Sequence, residues 1–126
     1  MNVAYVDTSC LVALAFGEKG WTALARRLDS FDELVSSNLL EAELRAALAR
    51  EKAPTDSKLL NIVSWVMPNR ALSREITSVL AAGYVRGADL WHLACALYLA
   101  ESPRELVFLT LDDRQKKVAA GLGFQV

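Results

Sequence analysis

The chain opens Met1-Asn2-Val3-Ala4-Tyr5-Val6-Asp7-Thr8-Ser9, and the change of character at Asp7 organises everything after it. Val3 to Val6 is apolar and β-prone, too short for a helix and bounded by a carboxylate. A helix-like apolar segment, Cys10 to Phe16, follows at once, with Thr8-Ser9 placed to cap it and Gly17 to stop it. A buried strand ending in an acid, then a helix, is a common way to build an α/β site. In open parallel sheets, ligands sit beyond the carboxyl ends of the strands. The question becomes whether other acids converge on Asp7.

Outward from that stretch, the pattern alternates. Trp21 to Leu28 reads as a helix, Glu33 to Ser36 as a short strand, and Asn38 to Arg50 as a strong helix. Asp56 to Met67 and Ser73 to Ala82 read as two more helices, broken by Pro68-Asn69 and stopped by Gly83. Asp89 to Ala100 is apolar on nearly every side, which predicts a buried helix. Leu106 to Leu111 is a second convincing strand and also ends in acid, Asp112-Asp113. Arg114 to Ala120 reads as the last helix, and Phe124 to Val126 as a short strand. Strands alternating with helices predict an α/β fold with a parallel sheet wrapped by helices. No repeat and no linker divides the chain, so residues 1–126 are expected to form one domain.

Composition narrows the classes of function. Hydrophobic residues are 53% of 126, enough for a well-filled core. A net charge of −1 argues against a generally basic nucleic-acid coat but leaves room for a local phosphate-binding patch. Cys10 and Cys95 form no CxxC pair and sit in apolar helical patterns, as core thiols of a reducing compartment do. No basic n-region precedes an apolar stretch and no apolar run reaches membrane-spanning length, so a cytoplasmic protein without signal peptide or membrane contact is expected.

Four acids carry the functional argument. Asp7 has two open readings, a helix N-cap or a carboxylate ligand at a strand end. On the Asn38–Arg50 helix, at about 100° per residue, Glu43 falls on the arc of Leu39, Leu40, Ala46 and Ala47. Glu41 falls opposite, three residues after Asn38 and four before Arg45, spacings that suit a capping box and an ion pair. A carboxylate on a core-facing arc is costly unless paired or metal-bound, which favours a functional Glu43. Asp89 opens the most buried helix, either as a cap or as a site acid. His92, one turn on, reads as a hydrogen-bonded packing residue. Of the doublet, Asp112 is assigned to the site and Asp113 to the cap or a supporting role.

Clustered carboxylates repel, and without a cation some must hold protons. All-oxygen ligation suits Mg²⁺ or Mn²⁺, and the lack of a His/Cys cluster argues against structural zinc. Mg²⁺ on a few carboxylates is the usual arrangement for phosphate chemistry, polarising the phosphoryl oxygen and supplying hydroxide at neutral pH.

Taken in order, Tyr5-Val-Asp-Thr-Ser9, Glu43-Leu-Arg-Ala-Ala-Leu48, Arg86-Gly-Ala-Asp-Leu-Trp-His-Leu-Ala94 and Phe108-Leu-Thr-Leu-Asp-Asp113 resemble the PIN domain family, and more narrowly its VapC-type toxins. The resemblance covers essentially the whole chain. It implies an α/β/α sandwich on a central parallel sheet and a Mg²⁺- or Mn²⁺-dependent site that hydrolyses RNA phosphodiesters. It carries the catalytic, metal-binding set onto Asp7, Glu43, Asp89 and Asp112, with Ser9 and Thr110 as the hydroxyls beside the first and last acids. It also implies a homodimer, a type II toxin–antitoxin role and a cognate antitoxin protein laid along the toxin. Trp91 stands where a smaller residue is more usual, and Cys95 where Ala or Thr is. Arg45, Arg50, Lys52, Arg86, Arg114, Lys116 and Lys117 are the cations available to RNA phosphates, each equally readable as solvated surface. Exposed single-stranded tRNA or rRNA loops are the expected targets. Two other readings stay open: a receiver- or phosphatase-like phosphotransfer domain using Asp7 or Asp112, against which the missing second acid at Ser9 counts, and an inactive PIN fold that only binds a partner.

Overall fold

A computed structural model describes residues 1–55 and 57–126. Among the described residues four strands, β1 (Val3–Val6), β2 (Glu33–Ser37), β3 (Val63–Val66) and β4 (Val107–Leu109), form one sheet in the order β3-β2-β1-β4. Every pairing is parallel, with Tyr5 opposite Val35 on one side and Phe108 on the other. Around it lie the helices α1 (Thr8–Phe16), α2 (Trp21–Asp29), α3 (Leu39–Arg50), α4 (Ser57–Asn61), α5 (Ser73–Ala82), α6 (Gly87–Leu99) and α7 (Asp113–Gly121).

The period of two along the strands divides the core. Ala4, Val6, Leu34, Val63, Val107 and Leu109 pack against α1, α2 and α3. Tyr5, Val35, Val66 and Phe108 face the other way, against α5, α6 and α7. This is the expected α/β/α sandwich. Cys10 and Cys95 are buried free thiols. Among the described residues no helix is long and apolar enough to cross a membrane.

The chain adds β2 and then β3 on one side of β1, and β4 on the other. The order of the sheet therefore reverses between β1 and β4, and connections leaving those two strands diverge to opposite faces. That is the switch point at which open α/β sheets form a crevice beyond the strand ends. Asp7 directly follows β1 and Asp112 lies three residues beyond β4.

Local expectations are corrected in several places. The helix expected from Asp56 to Met67 is the short α4 followed by β3; its first residue lies outside the described residues. Ordered strand ends at Leu109, two residues short of Leu111. The C-terminal strand is reduced to a single bridge, Gln125 against Val107. Gly17 stops α1 as expected, in the left-handed conformation at φ 60°.

Candidate active site

Asp7 sits at the N-cap position of α1, where the Cys10 N–H eases its charge without making a full cap hydrogen bond. Its oxygens face across the crevice mouth. Ser9 Oγ donates to Oδ1 at 2.5 Å, and Thr110 Oγ1, just past β4, lies 2.7 Å from Oδ2. Thr8 and Ser9 are thus not caps but the first two residues of α1, with their hydroxyls bonded to the Glu43 and Asp7 carboxylates. Ser9 also accepts the Leu111 N–H at 3.0 Å, which ties the two strand ends together. Asp7 is only 3% exposed. Burial pushes its carboxyl above the usual aspartate range, and the bonds from Ser9 and Thr110 offset only part of that.

Asp89 lies in the first turn of α6, which begins at Gly87 with Arg86 as its cap residue. Asp89 is half-buried, and among the described residues its carboxylate accepts no hydrogen bond. Burial raises its carboxyl, and the negative charges of Asp112, Asp7 and Glu43 raise it further. Asp112 and Asp89 line one cleft of about 340 Å³, together with Val85, Arg86 and Arg114. Among the described residues neither arginine makes an ion pair there.

The cap of α7 is Asp112 rather than Asp113: Oδ1 accepts the Gln115 N–H at 2.8 Å. Asp113 is the first residue of the helix and is exposed. Asp112 keeps its second oxygen, so capping and facing the cleft are compatible roles.

Glu43 reaches the site differently from the sequence expectation. The buried stripe of α3 is Leu40, Leu44 and Leu48, and Ala46 faces solvent. Glu43 lies on the shoulder of that stripe. Its Oε1 is 2.8 Å from His92 Nε2 and 2.7 Å from Thr8 Oγ1. Burial pushes its carboxyl up, but the hydrogen bonds from His92 and Thr8 outweigh burial and hold it below the usual range. Glu41 pairs with Arg45 at 3.0 Å as expected. Asn38, however, makes no cap; the Leu39 N–H goes to Ser37 Oγ at 3.1 Å.

His92 is a buried, hydrogen-bonded residue, as read from the sequence, and its partners matter. Nδ1 is 2.8 Å from the Tyr5 hydroxyl, which also accepts the Ser37 N–H at 2.9 Å. Burial, then the neighbouring Cys95, pushes the Tyr5 hydroxyl far up, so it keeps its proton at any working pH. Trp91, the unusual residue of that motif, donates its indole N–H to Ser37 Oγ at 3.1 Å. Gln115 escaped notice in the sequence. It is fully buried, 2.8 Å from Thr110 Oγ1 and 3.3 Å from the Asp89 carbonyl. A signal existed: Gln115, Val118, Ala119 and Leu122 share one face of a helix that is otherwise charged.

Among the described residues, no three His, Cys, Asp or Glu side chains are drawn close enough to hold an ion directly. Of the seven expected cations, Arg86 and Arg114 line the cleft, Arg45 and Arg50 pair with neighbouring glutamates, and Lys116 and Lys117 border a separate depression.

The PIN domain family profile matches residues 4–121. The chain belongs to the PIN domain family. PIN domains are in general nucleases. No curated protein and no solved structure matches the chain significantly.

Proposed function

We propose that this PIN domain is a divalent-metal-dependent endoribonuclease, the toxin of a type II, VapBC-type toxin–antitoxin pair, working in the cytoplasm as a homodimer. The observation that carries the nuclease reading is the charge of Asp112 and Asp7 felt at Asp89 beside the sheet's switch point, with Asp89 and Asp112 lining one cleft with Arg86 and Arg114. The toxin role and the cognate antitoxin rest on the resemblance of the four ordered motifs to VapC-type proteins.

The donor set fits a hydrated Mg²⁺ or Mn²⁺. Its ligands are carboxylate oxygens, and mutual repulsion around Asp89 is what a cation would relieve. A dry, all-protein cage does not fit, because among the described residues no three donors converge. Mg²⁺ commonly keeps several waters and uses one or two carboxylates. Asp7, Asp89 and Asp112 would hold it, with Glu43 reaching it directly or through water. When bound, such an ion stabilises charge on the phosphate and lowers the pKa of water.

The chain's own residues do the rest. Ser9 and Thr110 hold the Asp7 carboxylate in one orientation. Arg86 and Arg114 offer positive charge to the phosphates on either side of the bond to be cut. Water attack at phosphorus, in line with the departing 3′ oxygen, leaves a 5′-phosphate and a 3′-hydroxyl.

Incubating purified, antitoxin-free protein with total tRNA and rRNA, with Mg²⁺, Mn²⁺ or chelator, tests this reading. Discrete fragments that disappear with chelator are expected. Absence of cleavage from folded, metal-supplied protein would favour a partner-binding PIN fold.

A further inference from the structure

Glu43 is held by a chain of buried hydrogen bonds that starts in the centre of the sheet. Tyr5 stands on β1, two residues before Asp7 and on the same face. Its ring stacks on Phe108 of β4, with centroids 5.2 Å apart and planes 6° from parallel. It meets the His92 ring edge-on at 5.8 Å. The hydroxyl accepts the Ser37 N–H, and because the Glu43 carboxylate needs a donor at His92 Nε2, Nδ1 at 2.8 Å is the acceptor for the tyrosine proton. In the neutral ring that leaves the proton on Nε2, aimed at Glu43 Oε1 at 2.8 Å. Thr8 adds a second donor to the same oxygen. Oε2 accepts nothing among the described residues and is left for water or a cation.

We propose that His92 is a positioning residue for Glu43: Tyr5 fixes its tautomer, and its Nε2–H, with Thr8, locks the carboxylate so that Oε2 is presented to the site. The proposal rests on the metal-dependent nuclease reading above. Glu43 needs such support because its side chain is 30% exposed and carries three rotatable torsions. Left alone it would spread over several rotamers. Groups that orient metal-facing side chains in this way typically change metal affinity or activity about 10–100-fold when removed.

The test is Mn²⁺ binding by metal-free protein, followed by electron paramagnetic resonance or calorimetry, alongside steady-state cleavage and a thermal melt. His92→Asn loses the Nε2 donor, whereas His92→Gln places an amide N–H near the same point. His92→Asn is expected to bind Mn²⁺ about tenfold more weakly and to lower kcat with little change in KM. His92→Gln is expected to recover most of that loss. In a Glu43→Gln background, His92→Asn should have no further effect, because the two act as one unit. Should His92→Asn fail to fold, Tyr5→Phe carries the test, with a smaller loss of Mn²⁺ affinity expected.

Equal losses for His92→Asn and His92→Gln, or a loss that persists undiminished beside Glu43→Gln, would overturn the proposal and make His92 packing alone. A wild-type protein that neither binds Mn²⁺ nor cuts RNA would instead remove the nuclease reading, and the proposal with it. Weakened binding in Glu43→Gln with wild-type behaviour in both His92 variants removes the positioning role only.

Discussion

Thr110 Oγ1 lies 2.7 Å from Asp7 Oδ2 and 2.8 Å from Gln115 Oε1, and it has one proton for two acceptors. One of its two lone pairs accepts the Asp112 N–H at 3.0 Å, and the other is left to take a proton from one of those partners. Gln115 cannot reverse its amide without losing the bond from Nε2 to the Asp89 carbonyl. Without a cation, the network closes only when Asp7 itself carries a proton on Oδ2. The raised Asp7 carboxyl agrees with that count.

Asp7→Asn therefore supplies the missing donor. The amide nitrogen at position 7 gives a hydrogen bond to Thr110, which is then free to serve Gln115. In chelator at neutral pH, the variant should be more stable than wild type by on the order of 1 kcal/mol, seen as a rise in Tm of roughly 4 °C. A lower Tm would mean the Asp7 charge is favourable in the metal-free fold.

The same shortage predicts a coupling. Gln115→Met removes the competing acceptor and leaves the Asp89 carbonyl without its donor. It should cost about 1–3 kcal/mol by itself. In that background Thr110 serves Asp7 alone, so Asp7→Asn should no longer stabilise. Chemical denaturation of the four proteins measures the cycle.

How stability depends on pH follows from the signs of the shifts. Asp7 and Asp89 are raised above the ordinary 3.8, so the folded state holds protons that the unfolded state has lost. Their contribution is full below the ordinary range and is lost as pH rises through the folded values. Glu43 is lowered from 4.5 and acts oppositely: its contribution is present above that value and lost as pH falls through the folded value. In chelator, melts of Asp7→Asn should lose less stability than wild type as pH rises above the aspartate range. Added Mg²⁺ should raise Tm more at neutral pH than in mild acid, since the ligands must be deprotonated.

Arg86 and Arg114 make a separable prediction. Each is exposed and lines the cleft beside Asp89 and Asp112. Alanine at either position should weaken RNA binding about equally across sequences. It should also flatten the slope of log K against log salt by about 0.7 for each phosphate that is no longer neutralised. Lys116→Ala, bordering a different depression, should leave that slope nearly unchanged.

β1 and β4 and the acids beyond them are legible because each is an apolar run stopped by polar residues. β3 is not. Leu59, Ile62, Val63 and Val66 fall on one helical stripe, and the local period reads as helix. Pairing with the buried β2, Leu34 against Val63 through Ser37 against Val66, decides otherwise. The β-rich run Ile62-Val63-Ser64-Trp65-Val66 was the available clue. In the candidate site, individual acids could be picked out, but their partners could not. Thr8, Tyr5, His92 and Glu43 meet through separations of 35 to 87 residues, which no local period encodes. Glu43 was singled out from an arc centred on the wrong side of α3, whose buried stripe runs through Leu40, Leu44 and Leu48. Asp112 as the cap and Asp113 as the exposed neighbour is a one-residue distinction set by where β4 ends.

One comparison bears most directly on the whole account: cleavage of a tRNA and rRNA pool by wild type and by Asp7→Asn, each with Mg²⁺ and with chelator, with fragment ends mapped. Wild type with Mg²⁺ should give discrete fragments bearing 5′-phosphates, and chelator should abolish them. Asp7→Asn should give none, although it melts at the higher temperature. Fragments that persist with chelator, or an Asp7→Asn variant that cuts as well as wild type, would contradict a metal-dependent site built on Asp7.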